Sequence, residues 1–259
     1  MRAAFVKTEN YNRFLSGLLA LNDRGASEAC FLVVDGEPGL SKTTIVYRWV
    51  CQEGCIYLRA KKEWTPGWML RELLELLKVT PEYSFERMYR QALAALAEQA
   101  KAAARDGTTF AVVIDEADHI SRKENMLETL RDLSDMLEIP FVLVGMGRIR
   151  HNLTRFKQIS SRVGQPVEFK PCSLKDVDAL VKGLCEVPVA DDLIACLHQV
   201  SEGYAREVKE GIAAIERFGR RAPPNTPIDC AMMDGEPLLI DRRTGKAILV
   251  RAPISATGR

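Results

Sequence analysis

The stretch Gly36-Glu37-Pro38-Gly39-Leu40-Ser41-Lys42-Thr43-Thr44 follows directly on the apolar run Ala29 to Val34. This order predicts a strand, a Gly-rich turn and a helix start. A strand feeding a tight loop into a helix is a βα unit, and such units build parallel sheets with helices on their faces. The loop aims backbone N–H groups, a helix N-terminus and one ammonium at a single spot, which suits the phosphates of a nucleoside triphosphate. The spacing matches G-x-x-x-x-G-K-[ST] except that Ser41 stands where the last glycine is expected.

A second element, roughly seventy residues on, gives the loop its meaning. Thr109-Phe110-Ala111-Val112-Val113-Ile114 reads as a strand buried on both faces of a parallel sheet, and it ends in Asp115-Glu116. Asp115 at the strand tip, with the Thr43 hydroxyl, suits a magnesium shell. Glu116 is placed to polarise a water in line with a γ-phosphate. Read alone, these residues make a core strand leaving into an acidic turn. Downstream of the Lys42 loop they make a nucleotide site for ATP and Mg2+.

The chain has 259 residues, enough for one large α/β domain and a small one. Hydrophobic residues make up 47%, which supports a sizeable core and argues against disorder. The net charge is +1, so nucleic acid would have to be met by local patches. No apolar run reaches the roughly 20 residues of a membrane span, and Met1 to Tyr11 carries no signal-peptide core. The odd count of seven cysteines, mostly inside apolar patterns, reads as reduced core thiols in a cytosol, bacterial or of a phage-infected host. Cys51 and Cys55 have no second Cys/His pair nearby to complete a zinc site.

Patterning predicts a helix over 9–24 with Thr8 or Asn10 as cap, strands over 29–35, 55–59, 109–115, 139–145 and 165–169, and helices between them. In the Ala-rich helix over 84–105, Phe85, Tyr89, Leu93 and Leu96 face inward. Ser121-Arg122-Lys123-Glu124 reads as a capping box opening a helix that runs to about Leu137. A helical stretch over 148–160 precedes the fifth strand. After Pro171 come three helices, near 173–184, 190–200 and 203–218, with Ser173 as a cap. Residues 219–227 are basic and Pro-rich, and 237–240 with 247–250 read as a β-hairpin. The expected domains are therefore 1–171, a nucleotide-binding αβα core with its N-terminal helix; 172–218, a helical lid; and 219–259, a linker and hairpin tail. From Arg217 to Arg259 eight Lys/Arg face four Asp/Glu, a net +4.

A phosphate loop, an Asp-Glu strand end and an all-helical C-terminal lid together resemble the AAA+ ATPases, a P-loop NTPase class with a parallel sheet sandwiched by helices. Within them, Phe5-Val-Lys-Thr8-Glu-Asn10, the GEPGLSKTT loop, Val113-Ile-Asp115-Glu116-Ala-Asp118, Phe141-Val-Leu-Val-Gly145-Met146, Arg162 before Val167-Glu-Phe169, and Gly203-Tyr-Ala-Arg206 resemble the DNA-transposition ATPases of the phage Mu B protein and Tn-type target-selector group. The resemblance spans about 5–218. It implies that Arg206 is a sensor arginine reaching the γ-phosphate, and that Arg162 is a finger for a neighbouring subunit's ATP, with Arg148, Arg150 and Arg155 as competitors. It implies a homo-oligomer, ring or helical filament, on duplex DNA, touching phosphates rather than bases, and a transposase as partner. Lys61, Lys62, Arg122 and Lys123, beside Arg59 and Trp64, are the DNA-contact candidates. Met146 stands where the resembled group often has a polar residue that orients water, which implies slow hydrolysis. An ATP-sensing switch or a DNA-replication loader acting on a partner protein is the alternative. A small-molecule P-loop kinase is the third reading, against which the Asp115-Glu116 pair and the three-helix lid count.

Overall fold

Five short runs rich in Val, Ile, Leu and Phe become strands: β1 (Phe31–Asp35), β2 (Ile56–Arg59), β3 (Val112–Asp115), β4 (Phe141–Val144) and β5 (Val163–Glu168). They pair in parallel in the order β2-β3-β4-β1-β5. β1, β3 and β4 are buried throughout, as strands covered on both faces must be. β2 and β5 form the edges and are only partly buried. Pro166 lies on β5, where a missing N–H costs least. The computed structural model describes residues 1–223 and 226–252.

The helices of this part are α1 (Glu9–Asn22), α2 (Lys42–Glu53), α3 (Pro66–Leu76), α4 (Phe85–Asp106), α5 (Glu124–Leu137), α6 (Ile149–Leu153) and α7 (Lys157–Ser160). Local chemistry sets their ends. Thr65 accepts from Trp68 N at the start of α3, with Pro66 in the first turn. Ser84 caps α4, and Gly107 closes it in the left-handed region at φ 69°. Leu70, Leu73 and Leu74 of α3, Leu96 of α4, Leu127 and Leu130 of α5, and the β1, β3 and β4 side chains share one hydrophobic cluster. Trp64 is buried in it, and its indole N–H finds no acceptor among the described residues.

The chain divides into two compact units. Arg13–Pro38 and Lys42–Phe169 form the sheet unit; Met1–Asn12, Gly39–Ser41 and the chain from Lys170 onward form the other. In the second unit α8 (Leu174–Leu184), α9 (Asp191–Ser201) and α10 (Ala205–Gly219) pack together, with Ser173 capping α8 through Asp176 N. The antiparallel hairpin β6 (Pro237–Ile240) and β7 (Ala247–Leu249) adds Leu238 and Leu239 to the same cluster as Val177, Leu197 and Ile212. Ile228, Cys230, Met233 and Val250 belong to that cluster as well. Gly203 sits at φ 73°, and a Cβ there would lie 2.4 Å from the Cys172 carbonyl oxygen, so the chain can enter α10 only through glycine. The linker and tail expected to 259 extend over residues 224, 225 and 253–259, which lie outside the described residues.

Several local expectations are corrected. Ser121 is not a cap. α5 starts at Glu124 after Lys123 with no side-chain cap, while the buried Ser121 hydroxyl donates to the Asp118 carbonyl and accepts from Asn152. Tertiary partners took the hydroxyl that a capping box would have used. Phe85 does not point inward. It is half exposed, stacked on Tyr89, and Met88, Ala92 and Leu96 carry the buried stripe of α4. The stretch over 148–160 is two short helices broken at Thr154–Phe156. Strands begin one to three residues later than hydrophobicity alone suggests, except β5, which begins two residues earlier, because pairing rather than apolarity ends a ladder.

Candidate nucleotide site

The carboxyl ends of β1, β3 and β4 lie side by side in the middle of the sheet, and they carry Asp35, Asp115 and Gly145. In doubly wound sheets this is the edge where ligands bind. After β1 the backbone turns through Gly36 at φ 149°, Gly39 at φ 95° and Ser41 at φ 62° before α2 begins at Lys42. Ser41 thus holds the left-handed conformation for which a glycine was expected, at a cost of about 1 kcal/mol. The first turn of α2 has no acidic residue to offset its positive end.

Within the sheet unit, Lys42 Nζ donates to the carbonyls of Gly36 at 2.5 Å and Glu37 at 2.8 Å, so the ammonium lies in the bend of the loop. Burial lowers its pKa. Asp118, Asp115, Asp35 and Glu37 raise it again. Asp35 is buried and its Oδ1 has no partner among the described residues; burial raises its pKa, with Arg150 and Lys42 opposing. Asp118 also has a raised pKa through burial, and its Oδ2 accepts from Met146 N at 2.5 Å. A carboxylate therefore reaches the end of β4, where the sequence offers only Met146.

Asp115 is 3% exposed. Its Oδ2 accepts from the Thr43 hydroxyl at 2.7 Å and from the Tyr57 hydroxyl at 2.6 Å, and its Oδ1 accepts from Glu116 N at 2.8 Å. Glu116 follows in the left-handed region at φ 53°, which turns its side chain out of the strand. Its carboxylate pairs with Arg59 of β2, and His119 stands 3.7 Å away. The Arg59 hydrogen bond holds the Glu116 pKa below its ordinary value, and the same bond raises that of Arg59.

Sequence reasoning missed the partners on β2. In register Arg59 stands opposite Asp115 and Tyr57 opposite Val113. The alternation Tyr57, Arg59 on one face of a strand was visible, but which strand it would neighbour was not.

Mg2+ is a hard cation taking oxygen ligands, usually one or two carboxylates with phosphate oxygens and water. The Thr43 hydroxyl and Asp115 carboxylate, already in contact, fit that donor set. No group of three or more His, Cys, Asp or Glu among the described residues could hold a metal by itself. Cys55 is buried and donates to the Thr109 carbonyl, while Cys51 is exposed.

In the second unit Arg206 N, in the first turn of α10, donates to the Gly39 carbonyl at 3.1 Å. Leu40 is buried, and the Arg206 side chain is exposed. Thr44 is exposed in the first turn of α2. Arg162 lies at the opposite end of the sheet from Lys42: its carbonyl accepts from Phe31 N at the start of β1, and its guanidinium makes a forked pair with Asp135. Arg148, Arg150 and Arg155 are exposed. Lys61 pairs with Glu72 and lies over the Trp68 ring. Lys123 Nζ donates to the carbonyls of Lys62 and Trp64, which joins the loop after β2 to the loop after β3. Arg122 Nε is 3.5 Å from Asn152 Oδ1, and Lys62 is exposed.

A parallel sheet of order β2-β3-β4-β1-β5, with a phosphate loop after β1 and an Asp-Glu pair ending β3, defines a P-loop ATPase domain of the AAA type. The chain belongs to the AAA domain family, which matches residues 24–153. No curated protein matches the chain. Among solved structures, Cdc6p from Pyrobaculum aerophilum is 16% identical, with a TM-score of 0.61 over 90% of this chain and 68% of that one. The Aeropyrum pernix ORC1 protein, solved in complex with DNA, is 16% identical with a TM-score of 0.55 over 89% of this chain and 65% of its own. A RuvB variant from Thermotoga maritima is 18% identical, with a TM-score of 0.55 over 88% and 69%. The chain spans about two thirds of the length of these proteins, and at such identities the likeness is one of fold. No helix among the described residues is long and apolar enough to cross a membrane.

Proposed function

We propose that this chain is an ATP-dependent AAA+ ATPase that oligomerises on duplex DNA and regulates or targets transposition by recruiting a transposase, and that ATP hydrolysis releases the assembly. The observation that carries the reading is the contact between Thr43 of the phosphate loop and Asp115, with Glu116 next to it. Gly36 to Thr44 cradle the triphosphate, and Lys42 exchanges its carbonyl partners for phosphate oxygens. Thr43 and Asp115 would hold Mg2+, which supplies charge neutralisation to the transferring phosphoryl group. Glu116 orients water and takes its proton. It does so only after Arg59 lets go of it, because a paired carboxylate is a weak base.

In this reading residues 1–171 are the nucleotide core, 172–218 the lid carrying Arg206 as sensor, and 219–259 a basic tail. Arg162 is proposed as the finger for a neighbour, which requires its pair with Asp135 to open. Lys61, Lys62, Arg122 and Lys123 are proposed to line the DNA side. The fold likeness to an ORC1 protein solved with DNA supports DNA as a partner and also supports the alternative, a replication-loader-like switch.

Electron microscopy of the purified chain with duplex DNA, comparing ATP, ADP and no nucleotide, tests the proposal. Filaments or rings with ATP are expected. They should be lost in Lys42→Ala and persist in Glu116→Gln. Assemblies of all three proteins that ignore nucleotide would refute the mechanism.

A further inference from the structure

Asp115 is a buried carboxylate with no cation paired to it among the described residues, so hydrogen bonds must support its charge. Two of its three bonds come from its immediate surroundings, Thr43 of the loop and the neighbouring Glu116 N–H. The third comes from across the sheet. Tyr57 of β2 donates to the same Oδ2 that Thr43 uses. Its ring is in turn fixed edge-on by Tyr47, with centroids 5.2 Å apart and planes at 80°. Tyr47 lies on α2 four residues beyond Thr43, on the same helix face. The two tyrosines thus close a loop: Thr43 to Asp115, Asp115 to Tyr57, Tyr57 to Tyr47, and Tyr47 back along α2 to Thr43.

A half-exposed Tyr47 contributes little core. An O–H aimed at a carboxylate that two other donors already serve is more than burial needs. What the arrangement does is fix the carboxylate's rotamer and the spacing between α2 and β3. We infer that Tyr57 is a positioning residue for the divalent cation. It holds Asp115 in the orientation that, with Thr43, completes the metal shell, and Tyr47 braces it from α2. This rests on the nucleotide reading above. Groups that orient metal-ligating carboxylates in other sites are worth about 10- to 100-fold in metal affinity.

The test is Mg2+ titration of the full chain saturated with fluorescent N-methylanthraniloyl-ATP, with ATP affinity in EDTA measured alongside. Tyr57→Phe keeps the ring and removes the donor. Its half-saturating Mg2+ should rise about tenfold or more while the metal-free nucleotide affinity stays as in the parent. Tyr47→Ala should shift the Mg2+ midpoint in the same direction by less, and manganese binding followed by electron paramagnetic resonance should give the same ranking. Equal Mg2+ midpoints in parent and Tyr57→Phe would overturn the inference. So would an equal loss of nucleotide affinity with and without metal, the mark of a merely structural role. A parent chain that binds no nucleotide under either condition would instead remove the nucleotide reading itself.

Discussion

Replacing Lys42 by Ala removes the one ammonium held in the bend of the phosphate loop, 2.5 and 2.8 Å from the Gly36 and Glu37 carbonyls. In the free protein the loss is limited to two hydrogen bonds, one to the half-buried Gly36 carbonyl and one to the exposed Glu37 carbonyl. With triphosphate bound, the same ammonium makes charge-assisted hydrogen bonds of about 1.5–3 kcal/mol. At about 1.4 kcal/mol per decade, that is a weakening of ATP binding from about tenfold to somewhat over a hundredfold. The burial that lowers the Lys42 pKa argues for the upper half of the range, since water screens a buried charge less. The assay is thermal unfolding with and without Mg-ATP. At a ligand concentration about 100 times the parent's Kd, ATP adds about 2.7 kcal/mol to the parent. If Kd rises about fiftyfold, the same ATP adds only about 0.6 kcal/mol by the same relation. For a chain of this size a parent shift of about 5–10 °C should shrink to about 1–3 °C, while the ligand-free melting temperature moves little. An ATP-induced shift as large in Lys42→Ala as in the parent would mean that the loop does not grip the phosphates, and the site would have to be sought elsewhere.

Arg59→Ala frees Glu116, whose pKa Arg59 holds low. The acidic limb of the ATPase pH profile should therefore move to higher pH in the variant, and turnover at neutral pH should no longer wait on Arg59; an unmoved limb would mean that Glu116 is not the base. Asp118 has a raised folded-state pKa through burial, so its charge opposes folding. Stability is lost as pH rises from the ordinary carboxylate value through the raised one, and Asp118→Asn, which still accepts from Met146 N, should show a smaller loss as pH rises above about 4 in urea unfolding. Among the cysteines Cys51 is exposed, whereas burial pushes the Cys55 thiol up to about 12. Alkylation at pH 8 followed by mass spectrometry should label Cys51 first and Cys55 only on unfolding.

The sequence by itself determined the phosphate loop, the Asp115-Glu116 strand end, the alternation of strands and helices, and the all-helical segment after Pro171. These are local signals: apolar runs, glycines at sharp turns and a cap such as Ser173 act within a few residues. Only the tertiary structure decided which strand lies beside which. β4 inserts between β3 and β1, and β2 falls next to β3, so Tyr57 and Arg59 become partners of Asp115 and Glu116. The same long-range packing took Ser121 from its expected cap and turned Lys61 and Lys123 toward Glu72 and two backbone carbonyls. Side-chain partners follow from strand order and register, and those are fixed by burying the whole sheet at once, which no short window of residues can encode.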